Sequence, residues 1–414
     1  MDREVTLMEM LEAREVRAGR QRELLERYAR PVVSFTLNIA GPVKNGPVIR
    51  RAFREGLLRL EDALAARGLR PLHQEEVDRP TGCEALWAVD GPARTVKELC
   101  AGIEDRDPLG RLFDLDVLDP EGGKWDREAL GLPPRPCLVC GKAGKGCASR
   151  RLHPVEEIQE KTQTILRDFF AEKDRKFLAA QGARALLYEV CTTPKPGLVD
   201  RHNNGSHKDM DVFTFLDSTA ALLPYLERAA AIGQETARRM PEETFERLRE
   251  AGLGAERTML RATGGVNTHK GAIFSLGCVL GACGRLWTPE GPCREPEEIL
   301  AECGRMSAPA AEGFFAALTR ENARTAGERL YVETGERGVR GEAAGGFPAV
   351  LKIGLPALRA ALDQGAGLEE AGTAALLALT AGTADTGTVR LSVSHWNTGE
   401  EMDRFLAAMR EIFP

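Results

Sequence analysis

The strongest constraint on the fold of this chain is an abrupt change of sequence pattern around residues 133–154, where Pro, Gly, Cys and basic residues are concentrated. Before this segment, stretches with helical spacing alternate with short β-branched stretches; after it, Ala- and Leu-rich stretches with helical spacing dominate. The 414 residues also exceed the usual size of one domain. We therefore predict an α+β protein with a mixed α/β N-terminal domain and a mainly α-helical C-terminal domain.

The stretch after this segment, VEEIQEKTQTILRDFFAEKDRKFLAAQGARALLYEV, contains almost no helix breakers and predicts one or two helices that connect the halves. In the first half, PVVSFTLNIA, CEALWAVDG and LFDLDVLD have the composition or alternation of strands. We divide the chain into an N-terminal domain at 1–155, a helical linker at 156–179, a C-terminal domain at 180–386 and a tail at 387–414.

Charge and hydropathy limit the possible partners. The formal net charge of −6 does not favour general nucleic-acid binding. No apolar stretch approaches the roughly 20 residues that a membrane span needs, and the charged N-terminus lacks the apolar core of a signal peptide. We therefore expect a cytoplasmic protein without nucleic-acid or membrane partners, whose ten cysteines are free thiols or metal ligands.

Paired aspartates in RLFDLDVLD form the first candidate site. Alternate residues of a strand face the same side, so Asp114 and Asp116 should project together while Leu115 and Val117 enter the core. Two such carboxylates suit Mg²⁺ in nucleotidyl transfer, and a solvated strand face is the alternative. Nearby basic residues that can meet phosphate are Lys44, Arg50, Arg51 and Arg111.

Three cysteines and a histidine in CLVCGKAGKGCASRRLH form the second candidate site. The spacing is Cys137-x2-Cys140-x6-Cys147-x5-His153, and the first pair has the separation typical of a zinc knuckle. We expect a structural Zn²⁺ closed by four protein ligands. The alternative is a basic loop that contains unrelated thiols and an imidazole.

The segment TPKPGLVDRHNNGSHKDMD, residues 193–211, concentrates charged groups among turn-forming residues. Its basic members can contact phosphate, and its acidic members can hold Mg²⁺ or take part in catalysis; a solvated linker is the alternative. The candidates are Lys195, Asp200, Arg201, Asn204, His207, Lys208, Asp209 and Asp211.

A second glycine-rich segment, RATGGVNTHKGAIFSLG at residues 261–277, leads into an apolar helix, whose N-terminus favours anions. The spacing of a Walker A motif is absent, and the glycine turn alone is a weak signal. The candidates here are Gly264, Gly265, Asn267, Thr268, His269 and Lys270, together with Glu256 on the preceding helix and Arg340 and Glu342 in VRGEAAGGF.

These motifs resemble two known families. Residues from about 5 to 155 resemble the apo-citrate lyase phosphoribosyl-dephospho-CoA transferase family through SFTLNIAGPVKNGPVIRRAF, PLGRLFDLDVLDPEG and LPPRPCLVC. Residues from about 180 to 381 resemble the triphosphoribosyl-dephospho-CoA synthase family through EVCTTPKPGLVDRHNNGSHKDMD, ATGGVNTHKGAIFSLG and GERLYVETGERGVRGEAAGGFP. The chain is thus identified as a fusion of the two activities.

The resemblance implies two reactions. A synthase half would join the triphosphoribosyl unit of ATP to dephospho-CoA and release adenine. A nucleotidyltransferase-type half would then attach phosphoribosyl-dephospho-CoA to a serine of the citrate lyase acyl-carrier subunit and release pyrophosphate. The charge that develops when adenine leaves suits stabilisation by Asp200, Asp209 or Glu256, with His207 or His269 as a general acid. The triphosphate would require Lys195, Lys270, Arg340 and Mg²⁺.

The tail departs from the synthase family. Asp385 and Thr386 are present, but Gly387 stands where the family has Asn, and GTVRLSVSHWNTGEEMDRFLAAMREIF resembles the end of a cysteine desulfurase. The departure leaves one alternative open, and the similarity between cofactors leaves a second. In the first, only the transferase half is active and a truncated synthase half is a scaffold; in the second, the chain serves the similar malonate decarboxylase cofactor pathway.

Overall fold

The computed structural model describes residues 3–142, 147, 150, 152–195, 197–292 and 294–382. The chain forms two compact units, Met1–Phe170 and Ala171–Pro414. The tail predicted to be atypical, with Asp385, Thr386 and Gly387, lies outside the described residues. The N-terminal unit contains a sheet and the described part of the C-terminal unit is helical, which confirms the predicted α+β class.

Helices and an antiparallel sheet build the N-terminal unit. The strands are β1 (Val32–Leu37), β2 (Arg70–Arg79), β3 (Gly82–Asp90), β4 (Phe113–Leu118) and β5 (Lys124–Trp125), in the spatial order β2-β3-β1-β4-β5. The helices are α1 (Leu7–Tyr28), α2 (Pro47–Ala66) and α3 (Ala93–Asp105). The sequence predicted β1, β3 and β4, whereas polar β2 and helix α3 were missed.

Helix α1 lies on one face of this sheet. Thr6 and Glu9 form a capping box that satisfies backbone donors at the start of the helix. Near its other end, Leu24 and Leu25 form a buried cluster with Val32, Leu86 and Ala88, which share one sheet face. The apolar contact of α1 is therefore restricted to one end of the sheet, and the other end of this face is polar.

Aromatic packing fixes the opposite face of the sheet. The Phe35 ring stacks on Phe53 of α2 with 4.8 Å between ring centroids, and it meets Phe113 of β4 edge-on at 5.4 Å. Phe113, Leu115 and Val117 are all fully buried. Since side chains alternate along a strand, this packing turns the intervening aspartates of β4 toward the other face.

A single long helix, α4 (Val155–Cys191), contains the whole predicted linker 156–179 in one element. Helices then follow one another along the C-terminal unit. They are α5 (Val212–Thr236), α6 (Pro241–Ala262), α7 (Lys270–Arg285), α8 (Pro296–Ala316), α9 (Ala326–Thr334), α10 (Gly338–Ala344), α11 (Leu355–Asp363) and α12 (Leu368–Gly382). Among the described residues, none of these helices combines the length and apolarity that crossing a membrane requires.

Small residues let helices α5 and α7 approach closely at the centre of the C-terminal unit. A methyl group on Gly284 would lie 2.2 Å from the carbonyl oxygen of Ala230, and one on Gly233 would lie 2.1 Å from that of Gly281. The buried side chains around this contact include Leu226, Ile232, Met259 and Met306. This close contact packs the last turns of α7 against the C-terminal part of α5.

Candidate functional site

The two aspartates of β4 project from the same sheet face, as predicted. Asp114 lies opposite Thr36 of β1, and Thr36 lies opposite Glu84 of β3, so the three side chains form a polar row across the sheet. A cavity of about 160 Å³ opens beside this row. Its lining includes Met10, Arg14, Arg17, Thr36, Lys44, Cys83, Glu84 and Asp114, and does not include Asp116.

The carboxylate pair is electrostatically crowded. The surrounding protein desolvates Asp114 and raises its pKa, and the nearby negative charge of Asp116 raises it further. Asp116 meets the ammonium group of Lys124 at 2.7 Å. A divalent cation would relieve the repulsion between the carboxylates, so these donors fit the predicted Mg²⁺.

Cations from helix α1 join the predicted Lys44 at this cavity. Arg17 binds Glu84 at 2.5 Å. Burial, followed by the positive charge of Arg14, lowers the pKa of Lys44. The cavity therefore combines carboxylates with several positive groups that suit a phosphate-bearing ligand. Arg14 and Arg17 were not predicted from the sequence. Their i,i+3 spacing places them on one helix side, but it does not indicate which part of the sheet that side faces.

Two predicted phosphate ligands do not line the cavity. The guanidinium of Arg51 lies 4.1 Å from the ring centroid of Phe170, a cation–π contact. Arg111 donates a hydrogen bond to the carbonyl oxygen of Pro136, and burial lowers the pKa of its guanidinium. Both side chains support packing within the N-terminal unit, so the sequence-based assignment of Arg51 and Arg111 to phosphate binding is not supported by their positions.

Buried charged groups hold the backbone between the two aspartates. The N–H of Leu115 donates to Glu104 at 3.0 Å, and its carbonyl oxygen accepts from the ammonium group of Lys97 at 2.8 Å. Burial raises the pKa of Glu104, and Arg135 opposes this effect. No sequence pattern singled out these residues, because the lysine and the glutamate belong to the amphipathic helix α3.

The cysteine and histidine side chains of the second candidate site converge. Candidate ligand atoms of Cys137, Cys140, Cys147 and His153 all lie within 4.8 Å of one another. The Cys140 and Cys147 sulfur atoms are 3.5 Å apart. Three thiolates and one imidazole at this spacing suit a tetrahedral metal site.

A larger cavity of about 600 Å³ lies in the C-terminal unit, between α6, α7, α8 and α10. Its lining brings together three predicted residues, Glu256, Lys270 and Arg340. Glu256 meets Lys270 at 3.1 Å, and the Arg340 guanidinium lies 3.9 Å from the Phe314 ring centroid. The apolar part of the lining includes Phe245, Leu253, Ile273, Phe274 and Phe314, which the sequence analysis did not single out.

The glycine-rich segment shapes the entry to helix α7. Gly265 adopts φ +95° and donates its N–H to the carbonyl oxygen of Leu260 at 2.7 Å, which ends α6. Gly264 is also left-handed, at φ +65°. The side chain of Asn267 accepts a hydrogen bond from the Lys270 N–H at 3.3 Å. The positive end of α7 thus begins at Lys270, on the cavity wall.

His269 is buried beneath this entry. Its Nδ1 lies 2.7 Å from the Ser218 hydroxyl, which also accepts a hydrogen bond from Thr268 at 2.8 Å. Desolvation, followed by the charge of Lys195, lowers the pKa of His269 to about 4. Burial therefore favours the neutral imidazole over the imidazolium that a general acid would need.

The loop at 193–211 uses several predicted residues to hold its own shape. Asp200 is buried and accepts hydrogen bonds from the backbone N–H groups of Lys195, His202 and Asn203. Asp211 caps α5 by accepting from the Thr214 N–H at 2.9 Å, and hydrogen bonds to Thr214 lower its pKa. The Asp200 carboxylate is therefore turned toward the backbone of its own loop, which it organises.

Other predicted residues of the C-terminal unit have separate partners. The ammonium group of Lys195 is buried against Glu189 at 2.8 Å, and Arg201 pairs with Glu369. His207 lies 4.0 Å from Asp209. The backbone carbonyl of Asn204 accepts from the His207 N–H, and Glu342 accepts from the Ala349 N–H at 3.2 Å. None of these side chains belongs to the described lining of the larger cavity.

Two family matches cover the chain, one over the sheet-containing N-terminal part and one over the helical C-terminal part. Residues 5–169 match the family described as apo-citrate lyase phosphoribosyl-dephospho-CoA transferase, CitX. Residues 175–391 match the family described as ATP:dephospho-CoA triphosphoribosyl transferase, CitG.

Curated relatives contain both regions in one chain. The sequence is 36% identical to Protein CitXG of Leuconostoc mesenteroides subsp. cremoris over 365 residues, which covers 86% of this chain and 78% of that protein. It is 37% identical to Protein CitXG of Haemophilus influenzae over 355 residues, or 83% of this chain and 74% of the relative. A probable 2-(5''-triphosphoribosyl)-3'-dephosphocoenzyme-A synthase of Vibrio cholerae is 40% identical over 211 residues, covering 50% of this chain and 65% of that protein.

Proposed function

Because this chain belongs to the CitXG family, we propose that it is a bifunctional transferase that makes the prosthetic group of citrate lyase and attaches it. The C-terminal unit is the triphosphoribosyl-dephospho-CoA synthase, and the N-terminal unit is the phosphoribosyl-dephospho-CoA transferase. The observation that carries the assignment of sites is that each unit has a charged cavity lined partly by residues of that unit's family motifs.

In the synthase reaction, a ribose hydroxyl of dephospho-CoA forms a bond to the anomeric carbon of the ATP ribose. The bond from that carbon to adenine breaks. The departing adenine nitrogen takes up one proton, which matches the proton that the hydroxyl loses. Lys270 and Arg340 are suited to the triphosphate, and the carboxylate of Glu256 is suited to the positive charge that develops on the sugar. The aromatic side of the cavity offers an apolar surface to a base.

In the transferase reaction, the carrier serine oxygen forms a bond to the phosphorus next to the ribose, and the bond to the departing pyrophosphate breaks. Lys44, Arg14 and Arg17 are suited to bind the phosphates. Asp114, beside this cavity, is suited to hold a metal ion at the phosphates, and the serine proton leaves with the departing pyrophosphate.

Metal ions complete the proposal. Mg²⁺ held by Asp114 and Asp116 would supply positive charge at the transferred phosphate, and Asp209 and Asp211 are the candidates to hold Mg²⁺ with the triphosphate of ATP. The four ligands at Cys137, Cys140, Cys147 and His153 suit a structural Zn²⁺ with no position for substrate. ATP and dephospho-CoA are intracellular metabolites, so we place both reactions in the cytoplasm, with the acyl-carrier subunit as the protein partner.

Two assays on the same purified chain test the proposal. Adenine release from ATP and dephospho-CoA reports the first reaction, and the mass increase of apo-carrier incubated with pre-made triphosphoribosyl-dephospho-CoA reports the second. We expect both activities. Carrier modification without adenine release would reduce the function to the transferase half alone. Adenine release without carrier modification would reject the transferase assignment.

A further inference from the structure

We propose that Cys137, Cys140, Cys147 and His153 bind one zinc ion that fixes the backbone leading into the aspartate strand β4. The metal-binding part stands independently of the reactions. The consequence for carrier modification rests on the proposed function.

The first two cysteines lie on a tight turn whose geometry suits metal binding. The Cys137 N–H donates to the carbonyl oxygen of Lys142 at 2.6 Å, and the Gly141 N–H donates to the carbonyl oxygen of Cys137 at 3.0 Å. Gly141 adopts φ +73°, a conformation that glycine enters without strain. This turn directs the sulfur of Cys140 to within 3.5 Å of Cys147.

The histidine is oriented as a metal ligand. Its Nδ1 meets the carboxylate of Glu157 at 3.0 Å, an interaction that fixes the ring and raises the basicity of the other nitrogen. The Nε2 atom is fully buried and has no hydrogen-bond partner in the described structure. A buried polar nitrogen without a partner is costly, and coordination to a metal would satisfy it.

The ligand set selects zinc by its chemistry. Thiolates and imidazole in a tetrahedral arrangement suit Zn²⁺, whereas Mg²⁺ and Ca²⁺ prefer oxygen ligands. Four protein ligands complete this coordination, so the ion has a structural role and no open position for catalysis.

The residues just before Cys137 form hydrogen bonds with the backbone and side chains at the start of β4. The guanidinium of Arg135 donates to the carbonyl oxygens of Phe113 at 2.8 Å, Gly110 at 3.1 Å and Arg111 at 3.0 Å. The carbonyl oxygen of Pro136 in turn accepts a hydrogen bond from the Arg111 side chain. The peptide that precedes Asp114 is therefore held by the peptide that precedes the first metal ligand.

Through these hydrogen bonds, metal binding would affect the backbone that positions the aspartates. Without metal, three thiols and an imidazole at this spacing lose their common partner, and the turn that anchors Arg135 and Pro136 loosens. The start of β4 then loses hydrogen-bond partners next to Asp114, while the helical cavity around Lys270 belongs to the other unit. We expect metal loss to impair carrier modification and to leave adenine release unchanged.

The test compares wild type with Cys140→Ser, Cys140→His and the control Cys191→Ser, which removes a cysteine outside the cluster. Elemental analysis should find about one zinc per chain in wild type, Cys140→His and the control, and less than about a tenth in Cys140→Ser. Hydrogen exchange of the peptide at 110–118 should accelerate about tenfold or more in Cys140→Ser. Exchange at 82–90 and 270–285 should not change, which excludes general unfolding.

Each part of the proposal can fail separately. If wild-type protein contains no zinc, even after treatment with a chelator and refolding with added zinc, the proposed metal site is wrong. If removal of zinc leaves hydrogen exchange at 110–118 unchanged, the proposed link to β4 is wrong. Carrier modification should fall about tenfold in Cys140→Ser. If wild type modifies no carrier while the metal and exchange results hold, the proposed function fails and the structural inference stands.

Discussion

The carboxylate of Glu104 accepts a hydrogen bond from the backbone N–H of Leu115 at 3.0 Å, between the two aspartates of β4. On this edge, β4 pairs with β5 only at Val117 and Leu118. Side chains from α3 replace the missing strand, because Lys97 binds the Leu115 carbonyl oxygen at 2.8 Å. At Leu115, between Asp114 and Asp116, buried charged groups therefore hold this edge in place of a neighbouring strand.

The first prediction concerns Glu104. Glu104→Ala should destabilise the N-terminal unit by about 1–3 kcal/mol, because it leaves a buried N–H unpaired. Glu104→Gln keeps an acceptor oxygen and should cost less. Hydrogen exchange of the β4 peptide, combined with urea titration, compares the two. Equal losses for alanine and glutamine would show that the hydrogen bond to Leu115 contributes little.

The second prediction concerns the aspartate pair. Asp114→Asn and Asp116→Asn should each lower carrier modification by about 100-fold or more, because both remove charge that holds Mg²⁺. Thermal stability and adenine release should remain near wild type. Asp62→Asn, at an exposed position of α2, is the matched control. A double variant that modifies carrier at the wild-type rate would refute the assignment.

The third prediction concerns the cations contributed by α1. Arg17→Ala should lower kcat/KM for pre-made triphosphoribosyl-dephospho-CoA by about tenfold or more, since it removes a phosphate partner and leaves Glu84 unpaired at the cavity. Arg17→Lys should recover part of the activity. The control is Arg22→Ala, on an exposed part of the same helix. If both alanine variants behave alike, α1 contributes only general charge.

The fourth prediction concerns the cavity of the C-terminal unit. Lys270→Ala and Glu256→Gln should each reduce adenine release by about 100-fold. Carrier modification with pre-made cofactor should be unaffected, because its site lies in the N-terminal unit. Arg261→Ala, an exposed position near the end of α6, serves as the control. Undiminished adenine release in the Lys270 and Glu256 variants would show that the sugar reacts elsewhere.

The fifth prediction is a pH dependence. Burial lowers the pKa of His269 to about 4, from the 6.5 of a free histidine side chain. The unfolded chain therefore binds the extra proton first, so the stability contributed by neutral His269 is present above pH 6.5 and is lost as the pH falls toward 4. Each pH unit between these two pKa values changes the free energy of unfolding by about 1.4 kcal/mol.

Thermal unfolding at pH 7.5, 6.0 and 5.0 checks this prediction on wild type, His269→Gln and His207→Gln. The midpoint should fall more steeply with acid in wild type and in the His207 control than in His269→Gln. Parallel curves for all three proteins would contradict a buried neutral imidazole at position 269. His207 is a suitable control because its side chain is 37% exposed.

Local pattern predicted the elements whose period is clear. The alternation in LFDLDVLD placed Asp114 and Asp116 on one face because strand geometry requires it. The spacing of apolar residues predicted helices in the first half and a mainly helical second half. Strand β2, RPLHQEEVDR, was missed because its polar composition resembles a loop, and it is stabilised as a strand by pairing along β3.

The sequence by itself determined which chemical groups this protein has and how they are spaced along each element: the aspartate pair, the four potential zinc ligands and the charged residues at the start of α7. Only the tertiary structure decided which groups meet. It brought Arg17 of α1 to Glu84, gathered Glu256, Lys270 and Arg340 on one cavity, and turned Asp200 inward to hold its own loop. The physical reason is that helix period and strand alternation are local, whereas contacts between elements depend on packing across the core, which no local pattern encodes.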